Sequence, residues 1–271
     1  MKLLFLGDIV GRPGVSIIKR ALPTVICHEQ LDLVVANAEN ATNGSGLTPK
    51  AFKELRQAGI EMITMGDHVY KRMEIKQTLE EDGHICRPAN FPGASPGHDF
   101  IVYETKTGHR VAAFCLLGRT FMKAVDCPFQ AADRVLEQIP EDVHCTLVDI
   151  HAEATADKYL VAHHLKGRVT AIFGTHTHVP TADEQILPEG TAYITDVGMT
   201  GPHASVLGRR IDRVLSTTIT FIPSSFDVAE GDPRLSGAIV EIDTDTKKAV
   251  SIRRFMLDED GLAALNGKSG S

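Results

Sequence analysis

The chain has no apolar run approaching the roughly 20 residues that cross a bilayer, so no membrane partner is expected. Its five cysteines, Cys27, Cys86, Cys115, Cys127 and Cys145, are odd in number, scattered, and form no C-x-x-C pair. That pattern argues against a disulfide framework or a zinc ribbon and fits a reducing compartment. A basic excess is missing too: the formal net charge is −7 over 271 residues. Binding to duplex nucleic acid, which needs a basic face, is therefore not expected. A small phosphorylated substrate stays compatible, because bound metal ions can dominate the local field. The N-terminus runs Met1-Lys2-Leu3 into an apolar stretch broken by Gly7-Asp8. It lacks the length and flanks of a signal peptide, and a cytoplasmic location is expected.

What is present is an ordinary globular balance, 43% hydrophobic and 23% charged residues, at a length that suits one large α/β domain or two small ones. There is no internal repeat and no linker long enough to divide the chain. The expected organisation is one domain over residues 1–258, with 259–271 as a frayed tail.

The first third alternates strand and helix. Apolar runs at 3–6, 33–36 and 61–65 read as strands, with helical segments between and after them. Thr48-Pro49 reads as an N-cap followed by proline at the first helical position, opening a helix through Gln57. This βαβαβα order predicts a largely parallel sheet. Residues 100–105 and 110–117 read as an antiparallel hairpin, followed by a helix at 128–138. A second alternating block places a strand at 145–150, a helix at 156–165 and a strand at 169–173. The last third is expected to hold strands at 192–196, 216–222, 237–242 and 250–255. The fold class is α/β with two mixed sheets.

The chemistry gathers where these strands end. Gly7-Asp8, Asn37-Ala38-Glu39-Asn40, Gly66-Asp67-His68, Asp149-Ile150-His151 and Gly174-Thr175-His176-Thr177-His178 supply carboxylates, amides and imidazoles at consecutive strand ends. Ligand-binding groups of α/β sheets collect at the carboxyl ends of strands. Carboxylates with imidazoles on one rim suit a two-metal hydrolytic site. Asp8 alone could equally be a turn-former or helix cap. Glu39-Asn40 offers two oxygen donors to a hard or borderline cation, and Glu39 can bridge two ions. Asn40 can ligate through its amide oxygen or donate to a phosphate oxygen. His176-x-His178, read as continuing a strand, would present both imidazoles on one face. Of twelve histidines, His28, His84, His98, His109, His144, His163, His164 and His203 have no comparable context and are expected to be surface or structural residues.

The ordered set Gly-Asp, Glu-Asn, Gly-Asp-His, a lone His and Gly-Thr-His-Thr-His resembles the calcineurin-like metallophosphoesterase superfamily. Gly7-Asp8-Ile9-Val10-Gly11, Ala38-Glu39-Asn40-Ala41, His151-Ala152-Glu153-Ala154-Thr155 and Asp196-Val197-Gly198-Met199-Thr200-Gly201 resemble its bacterial YmdB-type branch. The resemblance implies a four-layer α-β-β-α sandwich and hydrolysis of phosphodiester bonds, with 2′,3′-cyclic nucleotides as candidate substrates. It implies two divalent metal ions, Fe or Mn first and Zn as a third option, with attack by a metal-bridging hydroxide. Asp8, Asn40 and His178 would hold one metal and Asp67, His151 and His176 the other, with Glu39 bridging. His68 would be the catalytic group facing the scissile phosphate, and Asn40 and His68 would contact substrate. A homo-oligomer is implied by the resemblance alone. A phosphomonoesterase or phosphoprotein phosphatase, and a non-catalytic nucleotide-binding regulator, are the rival readings.

Two positions depart from the superfamily pattern. Val10 stands where the wider superfamily has histidine, and Asn40 would replace that ligand. Asp67 stands where asparagine is usual. With asparagine, two dications less Asp8, Glu39 and a bridging hydroxide leave one positive charge. An ionised Asp67 cancels it, so tighter metal and weaker phosphate attraction are expected. Arg12, Lys71, Arg72, Arg119, Arg209 and Arg210 are candidate phosphate-gripping cations. The segment 198–203 is expected to be a substrate-facing loop or a turn.

Overall fold

The computed structural model describes residues 1–268. In chain order the elements are β1 (Lys2–Leu6), β2 (Asp8–Ile9), α1 (Gly11–Glu29), β3 (Leu33–Asn37), α2 (Pro49–Gln57), β4 (Met62–Thr64), a 3-10 turn (Met73–Ile75) entering α3 (Lys76–Glu81), β5 (Ile85–Cys86), β6 (Phe100–Glu104) and β7 (Arg110–Leu117). There follow α4 (Pro128–Gln138), β8 (Cys145–His151), α5 (Thr155–Leu165), β9 (Ala171–Thr175), β10 (Gln185–Leu187), β11 (Thr191–Ile194), β12 (Met199–Pro202), α6 (Ile211–Thr220), β13 (Pro233–Asp243), β14 (Lys248–Leu257) and α7 (Glu259–Lys268). No helix among the described residues is long and apolar enough to cross a membrane.

Two mixed sheets result. One runs β2-β12-β13-β1-β3-β4-β5, with β14 also paired to β13; the other runs β10-β11-β9-β8-β7-β6. Strands β1, β3, β4 and β5 are mutually parallel, as are β7, β8, β9 and β11. Side chains alternate across each strand. Leu3, Phe5, Leu33, Val35 and Met62 therefore meet Leu147, Ala171, Phe173 and Ile194 between the sheets. Leu4, Leu6, Val34, Ala36 and Ile63 face the layer of α1 and α2. On the far side, Phe114, Val148, Ile150 and Ile172 face Ala131 and Val135 of α4 and Val161 and Leu165 of α5. The layer order is α-β-β-α. Burial on both faces explains why the central strands read as unbroken apolar runs.

Local signals hold where they name a mechanism. Thr48 Oγ1 accepts from the Ala51 N–H at 3.3 Å, and Pro49 opens α2. Three expectations change. Residues 216–222 are not a strand: α6 covers Ile211–Thr220. Its β-branched run suggested a strand, but Ile211, Leu215 and Ile219 recur every four residues, a helical period. Thr218 and Thr220 turn their hydroxyls back onto the Val214 and Ser216 carbonyls at 2.9 and 2.7 Å. The segment 198–203 contains a buried strand rather than a loop: Met199 and Thr200 of β12 register against Asp8 and Ile9. Residues 259–268 form α7, tied to α1 by the Arg20–Glu259 ion pair at 2.5 Å and the buried Leu262. The remaining tail, Ser269–Ser271, lies outside the described residues.

Phe5 and Phe173 stack across the two sheets with ring centroids 4.5 Å apart. Phe173→Ala should lower unfolding free energy by about 3–5 kcal/mol in urea titration, as large core truncations do. A loss below about 1 kcal/mol would mean that the inter-sheet contact is not tightly packed.

Candidate metal centre

The inter-sheet face does not stay apolar to its end. Two residues beyond Val35, Met62, Leu147 and Phe173, the same strand faces present Asn37, Thr64, Asp149 and Thr175. All four are buried and bond to one another. Asp149 accepts from Asn37 Nδ2 at 2.9 Å, from Thr64 Oγ1 at 2.6 Å and from Thr175 Oγ1 at 2.6 Å. Thr175 Oγ1 in turn lies 2.8 Å from His151 Nδ1. Because the threonine proton goes to Asp149, the imidazole Nδ1–H donates to the hydroxyl. The Nε2 edge of His151 is thereby aimed away from the core, the usual way an outer partner fixes a ligand histidine.

Above this layer lie the residues singled out in the sequence. Glu39, Asp67, His151 and His176 each offer a donor atom within 4.8 Å of the others. His151 Nε2 is 3.4 Å from Glu39 Oε1, 3.4 Å from Asp67 Oδ1 and 3.0 Å from His176 Nδ1. A second group adjoins it. His178 Nε2 stands 3.8 Å from Asp8 Oδ1 and 3.3 Å from Asn40 Nδ2, and Asn40 Nδ2 is 3.1 Å from Glu39 Oε1. Glu39 thus touches both groups. Gly66 leaves the room for this: a Cβ there would fall 2.3 Å from Glu39 Oε2 and 2.5 Å from the His151 ring.

His176 and His178 do not continue β9, which ends at Thr175. Both have left-handed backbone, φ 94° and 65°, a conformation unusual for any residue but glycine. The strand argument for their shared face is therefore wrong, although both imidazoles reach the cluster. Other contacts hold the turn. Asp8 Oδ2 accepts from the His176 N–H at 3.0 Å. Asp196 Oδ2 accepts from Thr177 Oγ1 at 2.7 Å, from its N–H at 3.2 Å and from the buried ammonium of Lys158 at 2.8 Å. His178 Nδ1 donates to the Leu207 carbonyl at 3.1 Å, leaving Nε2 for the cluster.

Two oxygens show what the cluster lacks. Asp8 Oδ1 and Asp67 Oδ1 are buried without a hydrogen-bond partner. Bare buried carboxylate oxygens are costly unless a cation or donor meets them. The carboxylate, imidazole and amide donors fit a divalent transition metal, so the residues present suit a metal site. Burial pushes the Asp8 carboxyl above its ordinary range, though His178 and His151 oppose it. At Glu39 burial is outweighed by the His151 and His68 imidazoles, and its carboxylate is held well below the usual range. Burial also opposes protonation of His151, but Glu39 and Asp67 outweigh it and hold that imidazole well above its ordinary value.

His68 sits at the mouth, its side chain 28% exposed. Its Nδ1 is 2.7 Å from Asn40 Oδ1 and 3.1 Å from Glu39 Oε1, and its N–H donates to Glu39 Oε2 at 2.9 Å. Asn40 is therefore oriented with its oxygen on His68 and its nitrogen on Glu39 and His178. Ligation through oxygen would require the amide to turn over. Of the candidate cations, Arg72 and Arg209 support the loop at 43–46, through the carbonyls of Ser45 and of Asn43 and Gly44 respectively. Arg210 pairs with Asp212 on the surface.

Several contributors escaped the sequence reading. Lys158 was visible in principle: with Val161, Ala162 and Leu165 it completes an i, i+3, i+4, i+7 stripe on the buried face of α5. A lysine in such a stripe needs a buried partner. Asp149 was named with His151, two residues on and on the same strand face, but not as the acceptor that closes the buried network. Lys123, beside Asp67, had no local signal.

The YmdB-like protein family model matches residues 4–255. The chain belongs to this family. This YmdB-like chain is 42% identical over 260 residues to the 2′,3′-cyclic-nucleotide 2′-phosphodiesterase of Bacillus subtilis, covering 96% of this chain and 98% of that protein. It is 35% identical to a putative phosphatase/phosphodiesterase of Mycoplasma pneumoniae, with coverage of 96% and 94%. Among solved structures, a hypothetical protein from Thermus thermophilus superposes with TM-score 0.89 at 37% identity, covering 96% of this chain and 100% of that one. A structure described as a novel phosphatase from Mycoplasma pneumoniae gives TM-score 0.89 at 34% identity, with coverage of 95% and 93%.

A cation that takes His151 Nε2 must displace the proton its raised pKa retains. Metal affinity should therefore rise with pH, by about tenfold per pH unit for each proton displaced, and flatten above that pKa. Competition of Mn²⁺ against a chelator, corrected for the chelator's own protonation, measures this. Constant affinity between about pH 6 and about pH 8, the imidazole range, would contradict it.

Proposed function

We propose that this YmdB-like protein is a dinuclear-metal phosphodiesterase acting on small phosphodiesters, with 2′,3′-cyclic nucleotides as its substrate class. The observation that carries this reading is the pair of orphaned oxygens, Asp8 Oδ1 and Asp67 Oδ1, in two donor groups that both touch Glu39. Each belongs to a separate set of nitrogen and oxygen donors. In this assignment Asp8, His178 and, with its amide turned over, Asn40 would hold one cation, Asp67, His151 and His176 would hold the other, and Glu39 would be shared. The mixture of imidazole and carboxylate favours Fe or Mn, with Zn next. Bound there, the ions supply Lewis acidity and an activated water for in-line displacement at phosphorus.

The protein's own groups do the rest. Asp149, Thr175 and Asn37 fix the His151 ring; Asp196 and Lys158 fix the turn that carries His176 and His178. His68 is the candidate general acid. Burial opposes its protonation, but the Glu39 carboxylate outweighs it, so the imidazolium form needed to protonate a leaving alkoxide is favoured. Its exposed edge leaves it able to meet substrate, and Asn40, bonded to it, would share that contact. The names of the Mycoplasma relatives keep a phosphomonoesterase as the second reading.

Metal analysis and hydrolysis of 2′,3′-cyclic AMP, a generic diester and a generic monoester should be compared on one sample. Chelation should abolish diester cleavage, and Mn²⁺ or Fe²⁺ should restore it. Metal uptake with no cleavage of any ester would favour a nucleotide-binding regulator, whereas faster monoester cleavage would favour the phosphatase. His68→Ala should lower kcat by about 10²–10⁴ with metal content unchanged. Loss of metal in that variant would make His68 a support of the site rather than its acid.

A further inference from the structure

Lys123 lies in the segment 118–127, which joins β7 to α4. Its ammonium donates to the Asp67 carbonyl and stands 3.6 Å from Asp67 Oδ2. Among the described residues it is the one lysine or arginine whose ion pair reaches a member of the metal cluster. The segment is anchored on both sides of it. Asn90 Nδ2 donates to the Leu117 and Asp126 carbonyls at 2.9 and 3.1 Å, and Asp157 Oδ2 accepts from the N–H groups of Arg119 and Thr120 at 2.8 and 2.9 Å. Met122 packs against the α1-side core. The position of Lys123 is thus set by the fold.

The pair stands at the rim, with Asp67 14% and Lys123 53% exposed. A rim ion pair contributes little to stability, but about half of the Lys123 side chain stays exposed beside Asp67. Asp67 adds a negative charge where the superfamily usually has a neutral amide, and Lys123 adds a positive charge beside it. We infer that Lys123 is a positioning and specificity residue that offsets Asp67 and restores the attraction of the site for phosphoryl oxygens. This rests on the two-metal reading. It also revises the expectation that Asp67 weakens phosphate binding: the local sum is the same as with asparagine and no lysine.

The test is a double-mutant cycle: the native protein, Lys123→Met, Asp67→Asn and the double variant, each loaded with Mn²⁺. Calorimetric binding of inorganic phosphate and Mn²⁺ content are the readouts. Lys123→Met should weaken phosphate binding about tenfold, a local-field effect of the size expected in a charged cleft. The double variant should return to within about threefold of the native protein, as should Lys123→Arg, which keeps the charge. Mn²⁺ content should be equal in the native protein, Lys123→Met and Lys123→Arg, and phosphate binding in the two Asp67→Asn backgrounds is read at saturating Mn²⁺. Unchanged phosphate affinity in Lys123→Met, a double variant that binds phosphate as weakly as Lys123→Met, or loss of Mn²⁺ in Lys123→Met would overturn the inference alone. Failure of the native protein to take up Mn²⁺ would contradict the two-metal reading and this inference together.

Discussion

The polar layer on top of the inter-sheet core is the feature on which the site depends. Asn37, Thr64, Asp149 and Thr175 close a buried hydrogen-bond network around one carboxylate, and that network aims His151. Burial raises the Asp149 carboxyl above its ordinary range, although His151 and three donors act to lower it. Such a network rigidifies when every member is satisfied and is costly when one is missing. Here Asp149 has donors on both oxygens, so the unmet demand for partners falls one layer higher, at Asp8 and Asp67. Burying unmatched carboxylate oxygens is unfavourable for the fold alone. Dications bound there would turn that cost into affinity, by supplying the missing partners and linking metal binding to folding.

The same logic explains the strained turn at His176 and His178. Two non-glycine residues with positive φ would relax if left to themselves. Asp196 pins Thr177 between them, and a buried ammonium from α5 pins Asp196. A buried ion pair of this kind is weak evidence for stability. Its position suggests a different role, since it fixes the angle at which two imidazoles enter one site. The arrangement joins the two sheets through chemistry as well as packing: Asp8, Glu39 and Asp67 come from one sheet, and His151, His176 and His178 from the other.

Much of this was legible in the sequence. Apolar runs ending in Gly-Asp, Glu-Asn and Gly-Asp-His located the carboxyl ends of β1, β3 and β4, because buried parallel strands and their functional ends leave a local signature. Less legible were features set by distant contacts. The turn after β9 looked like continued strand, since the alternation of His-Thr-His mimics period two and its positive φ values arise from Asp8 and Asp196. Residues 216–222 looked like strand because threonine and isoleucine favour strands, and α6 forms with none of its residues buried. Lys123 was invisible because it meets Asp67 across 56 residues of sequence. Charge compensation by a residue so far away carries no periodicity.

The central claim is that Glu39 is shared by two cations. Crystals of the Mn²⁺-loaded protein, measured for anomalous scattering at the manganese edge, test it most directly. The account predicts two strong peaks flanking the Glu39 carboxylate, one beside Asp8 and His178 and the other beside Asp67, His151 and His176. A single peak, or peaks away from Glu39, would contradict it.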